Sequence, residues 1–359
     1  MSQRNGTRPC GSARALSEAY DTALLDLDGV VYTGGDAVEH AVDALAAARA
    51  AGMRLAYVTN NALRPPQVVA DHLTELGVPA GADDVITSAQ AVARLIADEV
   101  PEGAKVLVIG GEGLELALRE RGLVPVDSAD DGPVAVAQGY GGPDMVWRRF
   151  WEACAAINAG APWFVSNTDL TIPSPRGVVP GNGAAVEVVR IATGAEPRVA
   201  GKPLPPMHRE TVLRTGARRP LVVGDRLDTD IEGAFNGGVD SLLVLTGVTD
   251  ARQLLAARPR HRPTYVDADL RGLTAGQPEV RDAGDGRFRC GRWTASVAGG
   301  ALVLDAGDGD GSGDADERGR APEREVVDGL RALCAAAWTR AGDGSSDLDA
   351  GAALKRLGW

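Results

Sequence analysis

The chain has 359 residues, 44% of them apolar and 24% charged, which excludes a wholly disordered polymer and leaves room for two domains and a smaller third. A formal charge of −12 and an aromatic content of 4% argue against a nucleic-acid partner, because a polyanion is repelled and few rings are present to stack on bases. Cys10, Cys154, Cys290 and Cys334 stand far apart with no C-x-x-C pair, so neither a zinc site nor a disulfide framework is expected, and a reducing cytoplasm fits.

The first 18 residues carry arginines without an apolar signal core, and no apolar run reaches bilayer length, so no membrane association is expected. Met1 to Leu16 is read as a disordered tail, with the folded chain starting near residue 19. From Thr22 to Leu27 an apolar run ends in acidic residues and Gly29, the pattern of a buried strand delivering polar groups at its C-terminal end. Val38, Ala41, Val42, Leu45 and Ala48 keep a helical period, and Gly52 stops it before a second strand, Leu55 to Val58. Pro65 and Pro66 open another helix that Gly77 closes. Ser88 is expected to cap the helix through Ala97.

Val106 to Ile109, Val134 to Ala137 and Trp163 to Val165 continue the alternation of strand and helix, and Leu221 to Val223 and Leu242 to Leu245 repeat the opening pattern. This predicts an α/β protein: a doubly wound, mostly parallel Rossmann-like core (19–86 and 200–275) interrupted by an inserted α/β domain (87–199). After about Gly276 the composition changes. Strand-like runs at Trp293 to Val297 and Ala301 to Leu304, a Gly/Asp-rich stretch from Asp305 to Arg320 and a helix from Glu325 to Thr339 predict a small appended α+β module over 276–359. Asp308, Asp310 and Asp314 lack the glycine and glutamate spacing of an EF-hand, so they are read as a solvated loop.

Four polar clusters follow predicted strands. Asp26 and Asp28 stand two apart where open α/β sheets bind ligands; one carboxylate can attack phosphorus with help from a magnesium ion, and the other can serve as acid and then base. Thr59, Asn60 and Asn61 offer a hydroxyl, amides and main-chain N–H groups for phosphate oxygens, although an Asx turn or helix cap uses the same residues. Lys202, between Gly201 and Pro203, offers a point charge. Asp225 and Asp230 add carboxylates after another apolar strand, where capping by the helix dipole is the alternative. Each cluster alone is weak; their order, D-x-D-G, T-N, K-P and G-D-x4-D, is what capping does not explain.

That order resembles the haloacid dehalogenase (HAD) superfamily, and Ser166-Asn167-Thr168-Asp169, Pro180-Gly181-Asn182-Gly183 and the position of the insert resemble its subfamily IIA. The resemblance covers about residues 20 to 270. It implies a C2-type cap at 87–199 and a branch containing glycerol-3-phosphate, phosphoglycolate and nitrophenyl phosphate phosphatases. It further implies that Asp26 is nucleophile and magnesium ligand, that Asp28 is acid/base and lends its main-chain carbonyl to the metal, and that Asp225 completes the ligands. By the same resemblance Thr59, Asn60 and Lys202 bind phosphate and Asp230 orients the lysine or a metal-bound water. Asn167 and Asp169 are candidates for substrate specificity. The segment after Gly276 resembles extensions of actinobacterial glycerol-3-phosphate phosphatases likened to an acetyltransferase fragment, but lacks a glycine-rich pyrophosphate loop, so acetyl transfer is not expected. The reading is a magnesium-dependent phosphatase acting on a small metabolite, glycerol 3-phosphate first, with 2-phosphoglycolate, a sugar phosphate or a nucleotide as alternatives. A homo-oligomer is compatible with it. A phosphomutase or a receiver-like phospho-switch are the competing classes; the long insert and the late Asp225 cluster do not fit the switch.

Overall fold

Short apolar segments become parallel strands wherever both faces are covered, and the chain does this in two units, one formed by Met1–Leu55 and Arg218–Trp359 and the other by Ala56–Ala217. The computed structural model describes residues 6–174, 176–307, 323–345 and 347–359. The acidic positions Asp308, Asp310 and Asp314 lie outside the described residues. Two parallel sheets flanked by helices form a Rossmann-like core and an inserted α/β domain, and an antiparallel sheet forms a C-terminal extension.

In the first unit Thr22–Leu25, Pro220–Gly224, Asp240–Val244 and Tyr265–Asp267 pair in that order, all parallel. Their C-terminal ends therefore face one edge. Leu25, Leu221 and Val223 are fully buried on one face of the sheet and Leu243 on the other, as strands covered on both sides require. Helix Ala41–Ala50 buries Ala41, Ala44, Leu45 and Ala48. It starts later than the periodicity predicts: Val38 donates to Val31 O at 2.9 Å and belongs to the preceding hairpin, and His40 takes a left-handed conformation.

The expected tail does not hold from Cys10 onward. Cys10 N–H donates to Thr264 O at 2.8 Å, Ser12 and Gln277 exchange main-chain bonds of 2.8 Å, and Leu16 is fully buried. One apolar anchor and a sheet-like pairing are enough to order the segment.

Beyond residue 276 four antiparallel strands, Arg281–Asp282, Phe288–Cys290, Trp293–Ala298 and Ala301–Ala306, form a sheet in chain order, and helix Glu323–Ala341 packs on it. Trp293, Ala295, Leu302 and Leu304 alternate inward and join one continuous core with Leu243, Leu254 and Val266 of the parallel sheet region. Trp338, fully buried, donates its indole N–H to Leu254 O at 3.1 Å. Arg331, also buried, donates to Val266 O at 3.0 Å and Gln277 Oε1 at 2.8 Å, and pairs with Asp328 at 2.6 Å. A buried charge is tolerable only with such partners. Burial pushes the Asp328 carboxyl up, against the pull of Arg331.

The second unit holds most of strand Arg54–Thr59, paired parallel with Val85–Thr87, and a five-stranded parallel sheet. In that sheet the order is Arg198–Val199, Trp163–Val165, Ala135–Gln138, Lys105–Ile109 and Val124–Val126. Helices Arg148–Asn158 and Asn182–Thr193 pack against it through Phe150, Ala153, Val186 and Val189. The helix predicted at Ser88 runs Ser88–Ala97, but its cap is Thr87, which accepts from Gln90 N–H while Gln90 Oε1 accepts from Thr87 N–H. A T-x-x-Q capping box satisfies two orphan donors, one more than Ser88 alone.

Glu210, on helix Pro205–Thr215, is fully buried among Arg94, Arg121 and Arg214, at 2.9 Å from Arg121 and 2.5 Å from Arg214. Burial alone would push its carboxyl up; the hydrogen bonds from Arg94 and Arg214 outweigh burial and hold it below the ordinary value.

Candidate active site

Asp26 follows strand Thr22–Leu25 and donates its N–H to Val223 O at 2.8 Å, which continues the sheet pairing by one residue. The chain then turns sharply: Val31 and Tyr32 both donate to Leu27 O, and Gly29, at a φ of 81°, donates to Tyr32 O at 2.8 Å. Glycine is required there, since a side chain would be strained and its Cβ would stand 2.7 Å from Asp225 Oδ2. Asp28, within this turn, is exposed.

Asp225 follows strand Pro220–Gly224 and begins a wide helical turn, Leu227–Ile231, in which Ile231 N–H reaches Arg226 O at 3.2 Å. Such a five-residue turn is uncommon and recurs at functional sites. It brings Asp230 back, so that its Oδ2 accepts from Arg226 N–H at 3.2 Å. Gly224 makes the return fit, because a Cβ there would stand 2.2 Å from that of Asp230.

One carboxylate oxygen from each of Asp26, Asp225 and Asp230 lies within 4.8 Å of the others, and Asp225 and Asp230 are 0% and 1% exposed. Carboxylates brought together out of water repel, and a hard divalent cation with oxygen-only preference is what neutralises them. The donor set therefore fits magnesium or calcium. Asp230 stands in this cluster beside the two expected ligands, and the carboxylate of Asp28 is not a member. A further loop, Thr246 to Thr249, also reaches Asp225 and was not legible as a motif: Val248 N–H donates to Asp225 Oδ2 at 2.6 Å.

The remaining sequence candidates converge within the second unit. Thr59 ends strand Arg54–Thr59, is buried, and its Oγ1 accepts from Asn61 N–H at 3.0 Å. Asn61 closes an Asx turn, accepting from Leu63 N–H at 2.8 Å, so for this residue the turn reading applies. Asn60 uses its whole side chain: Oδ1 accepts from Lys202 N–H at 2.8 Å, and Nδ2 donates to Lys202 O at 3.2 Å and to the Asp169 carboxylate at 3.1 Å. Its carbonyl accepts from Ser88 Oγ at 2.5 Å and Asn167 Nδ2 at 2.7 Å. Any phosphate contact from Asn60 thus falls to its main-chain N–H.

Lys202 Nζ donates to Val58 O at 3.2 Å. Gly201 before it leaves no room for a side chain, whose Cβ would stand 2.3 Å from Ser166 O. Asn167 is 4% exposed and holds its own loop, with Oδ1 accepting from Asp169 N–H at 3.1 Å, whereas Asp169 is partly exposed. Of the two specificity candidates, Asp169 is the one with surface to offer a ligand.

An α/β scaffold with carboxylates gathered at strand ends suits phosphoryl transfer in general, and similarity to known proteins defines the family. Residues 23–124 match the family profile of haloacid dehalogenase-like hydrolases, residues 199–273 a HAD-hydrolase-like profile, and residues 290–359 a GCN5-related N-acetyltransferase like domain. The D-glycerol 3-phosphate phosphatase of Mycobacterium tuberculosis is 42% identical over 334 residues, covering 92% of this chain and 89% of that protein. The 5'-nucleotidase YutF of Bacillus subtilis is 37% identical over 252 residues, covering 69% of this chain and 95% of that protein. Among solved structures, the glycerol phosphate phosphatase of M. tuberculosis in complex with magnesium superposes with a TM-score of 0.82 at 40% identity, covering 96% of this chain and 99% of that one. A thermostable NPPase from Geobacillus stearothermophilus gives 0.64 at 32% identity over 70% of this chain and 97% of that one.

The chain belongs to the haloacid dehalogenase-like hydrolases, and within them it is related to the M. tuberculosis glycerol phosphate phosphatase. It is an enzyme of the phosphoric monoester hydrolase class. Among the described residues no helix is long and apolar enough to cross a membrane.

Proposed function

We propose that this enzyme hydrolyses the phosphate ester of a small metabolite, glycerol 3-phosphate first among candidates, through an aspartyl phosphate on Asp26. The observation that carries the reading is the convergence of Asp26, Asp225 and Asp230. The substrate assignment is supported by coverage. Similarity to the D-glycerol 3-phosphate phosphatase extends over 92% of the chain, whereas the nucleotidase and an acid sugar phosphatase of Staphylococcus saprophyticus match 69% and 70% of it.

Asp26, Asp225 and the main-chain carbonyl of Asp28 would hold magnesium, which when bound would supply positive charge against the oxygens of the phosphoryl group. Asp26 attacks phosphorus with a carboxylate oxygen as the bond to the ester oxygen breaks, and Asp28 gives its proton to the departing alkoxide. Asp28, now a carboxylate, takes a proton from water; the water oxygen bonds to phosphorus and Asp26 leaves with the electron pair of the acyl phosphate bond. Thr59 and Lys202 bind the phosphoryl oxygens, Asn60 orders the lysine loop, and Asp230 orients the groups around the cation. Residues 87–199 act as the cap, where Asp169 selects among leaving groups through its carboxylate.

A phosphate-release screen with added magnesium tests this, using glycerol 3-phosphate, 2-phosphoglycolate, a nucleoside monophosphate and a sugar phosphate. The expected result is the highest kcat/KM for glycerol 3-phosphate. A higher value for any other ester overturns the substrate, and absence of release from all four overturns the class.

A further inference from the structure

We infer that the loop from Thr246 to Thr249, outside the four clusters, is a positioning element that sets the divalent-cation affinity of Asp26 and Asp225. The inference rests on the phosphatase reading above and deepens it. Strand Asp240–Val244 lies beside Pro220–Gly224 in parallel register, with Leu243 opposite Gly224, so the loop after it emerges next to Asp225. It grips two loops at once. Thr246 Oγ1 donates to Gly29 O at 2.5 Å, which ties down the turn that carries Asp28. Val248 N–H donates to Asp225 Oδ2 at 2.6 Å, and Thr249 N–H to Asp225 O at 3.2 Å.

Gly247 supplies the space between them. A Cβ at this position would stand 2.0 Å from Asp225 Oδ2 and 2.6 Å from its Cγ. Its φ lies outside the left-handed region, so the need for glycine is one of room rather than of backbone freedom. The short bond to a carboxylate is charge-assisted and fixes the rotation of the Asp225 side chain before any cation arrives. A ligand already oriented loses less freedom on binding, and partners of this kind typically carry about 10- to 100-fold in metal affinity.

The test is magnesium titration by calorimetry on the full chain without substrate, beside thermal unfolding in EDTA, for wild type, Gly247→Ala, Thr246→Val and Thr246→Ser. Gly247→Ala is expected to weaken magnesium binding by about 10- to 100-fold, and Thr246→Val by about 10-fold. Thr246→Ser, which keeps the hydroxyl, is expected to retain wild-type affinity, and in Gly247→Ala and Thr246→Val the loss of affinity is expected to exceed any loss of stability in EDTA. Wild-type affinity in both Gly247→Ala and Thr246→Val overturns the inference and leaves the phosphatase reading standing. So does a loss of affinity matched by an equal loss of stability in EDTA. A wild-type chain that binds no divalent cation overturns both.

Discussion

Asn60 Nδ2 donates to the carboxylate of Asp169 at 3.1 Å, joining residues 109 positions apart in the chain. The same amide brackets Lys202, taking its N–H at 2.8 Å and giving to its carbonyl at 3.2 Å. One short side chain therefore orders a cationic loop and an anionic one. In Asn60→Asp the lysine N–H keeps an acceptor, but the donor to Asp169 becomes a second carboxylate. Asn60→Ala should cost about 1–3 kcal/mol of stability by leaving these groups unsatisfied. Asn60→Asp should also lower kcat/KM, through repulsion of Asp169. Kinetics and denaturant unfolding of the pair check this, and wild-type kcat/KM in Asn60→Asp would refute the clamp.

Asp26→Asn should remove the carboxylate that the proposed covalent route uses without disturbing the sheet, because Asp26 N–H and not its side chain continues the pairing with Val223. Turnover should fall by about 10⁴-fold or more, as expected for loss of a nucleophile. Asp28→Asn should cost about 10²–10⁴-fold, the range for general acid–base catalysis, and should flatten the pH–rate profile. Equal rates in Asp26→Asn and wild type would exclude the covalent route.

Glu210→Gln should destabilise the protein at neutral pH by about 3 kcal/mol, since three arginines lose their buried counter-charge. The pH dependence has a defined sign. Glu210 is held below its ordinary value near 4.5, so its contribution is complete above that value and is lost as pH falls through the lower, folded-state value. The gap in unfolding temperature between wild type and Glu210→Gln should therefore narrow as pH drops from 6 towards 3. A gap independent of pH would show that the carboxylate charge is not what the arginines hold.

Trp338→Ala should cost about 3–5 kcal/mol, because the indole is fully buried and bonded to Leu254 O at 3.1 Å. Ending the chain before residue 280 should leave no soluble enzyme, since Leu243, Leu254 and Val266 share their core with the C-terminal helix. A soluble, active truncation would show that the parallel sheet closes without it.

Much of this was legible because apolar runs bounded by polar residues are local. Trp163–Val165 was readable to the residue, and Asp26, Thr59, Lys202 and Asp225 each follow or end a strand as expected. Long-range partnerships were not. Glu210 reads as an ordinary helix-surface glutamate until Arg94 arrives from helix Ser88–Ala97 and Arg121 from the turn after helix Glu112–Glu120. Thr246-Gly247-Val248 reads as a plain turn, and nothing local says that its amide meets Asp225. The hairpin Thr171–Ser174 with Gly177–Pro180 was missed because two prolines mask its strands. Thr87 outranked Ser88 as cap because of Gln90, a signal that was present in the chain.

The pairing of Thr22–Leu25 with Pro220–Gly224 imposes an order on synthesis. The strand leading to Asp26 is made some 200 residues before the neighbour it pairs with. The intervening unit, Ala56–Ala217, is contiguous and can fold while translation proceeds. Closure of the other unit's core must wait for Trp338, so a chain stalled before that residue leaves apolar side chains such as Leu254 and Val266 without their cover.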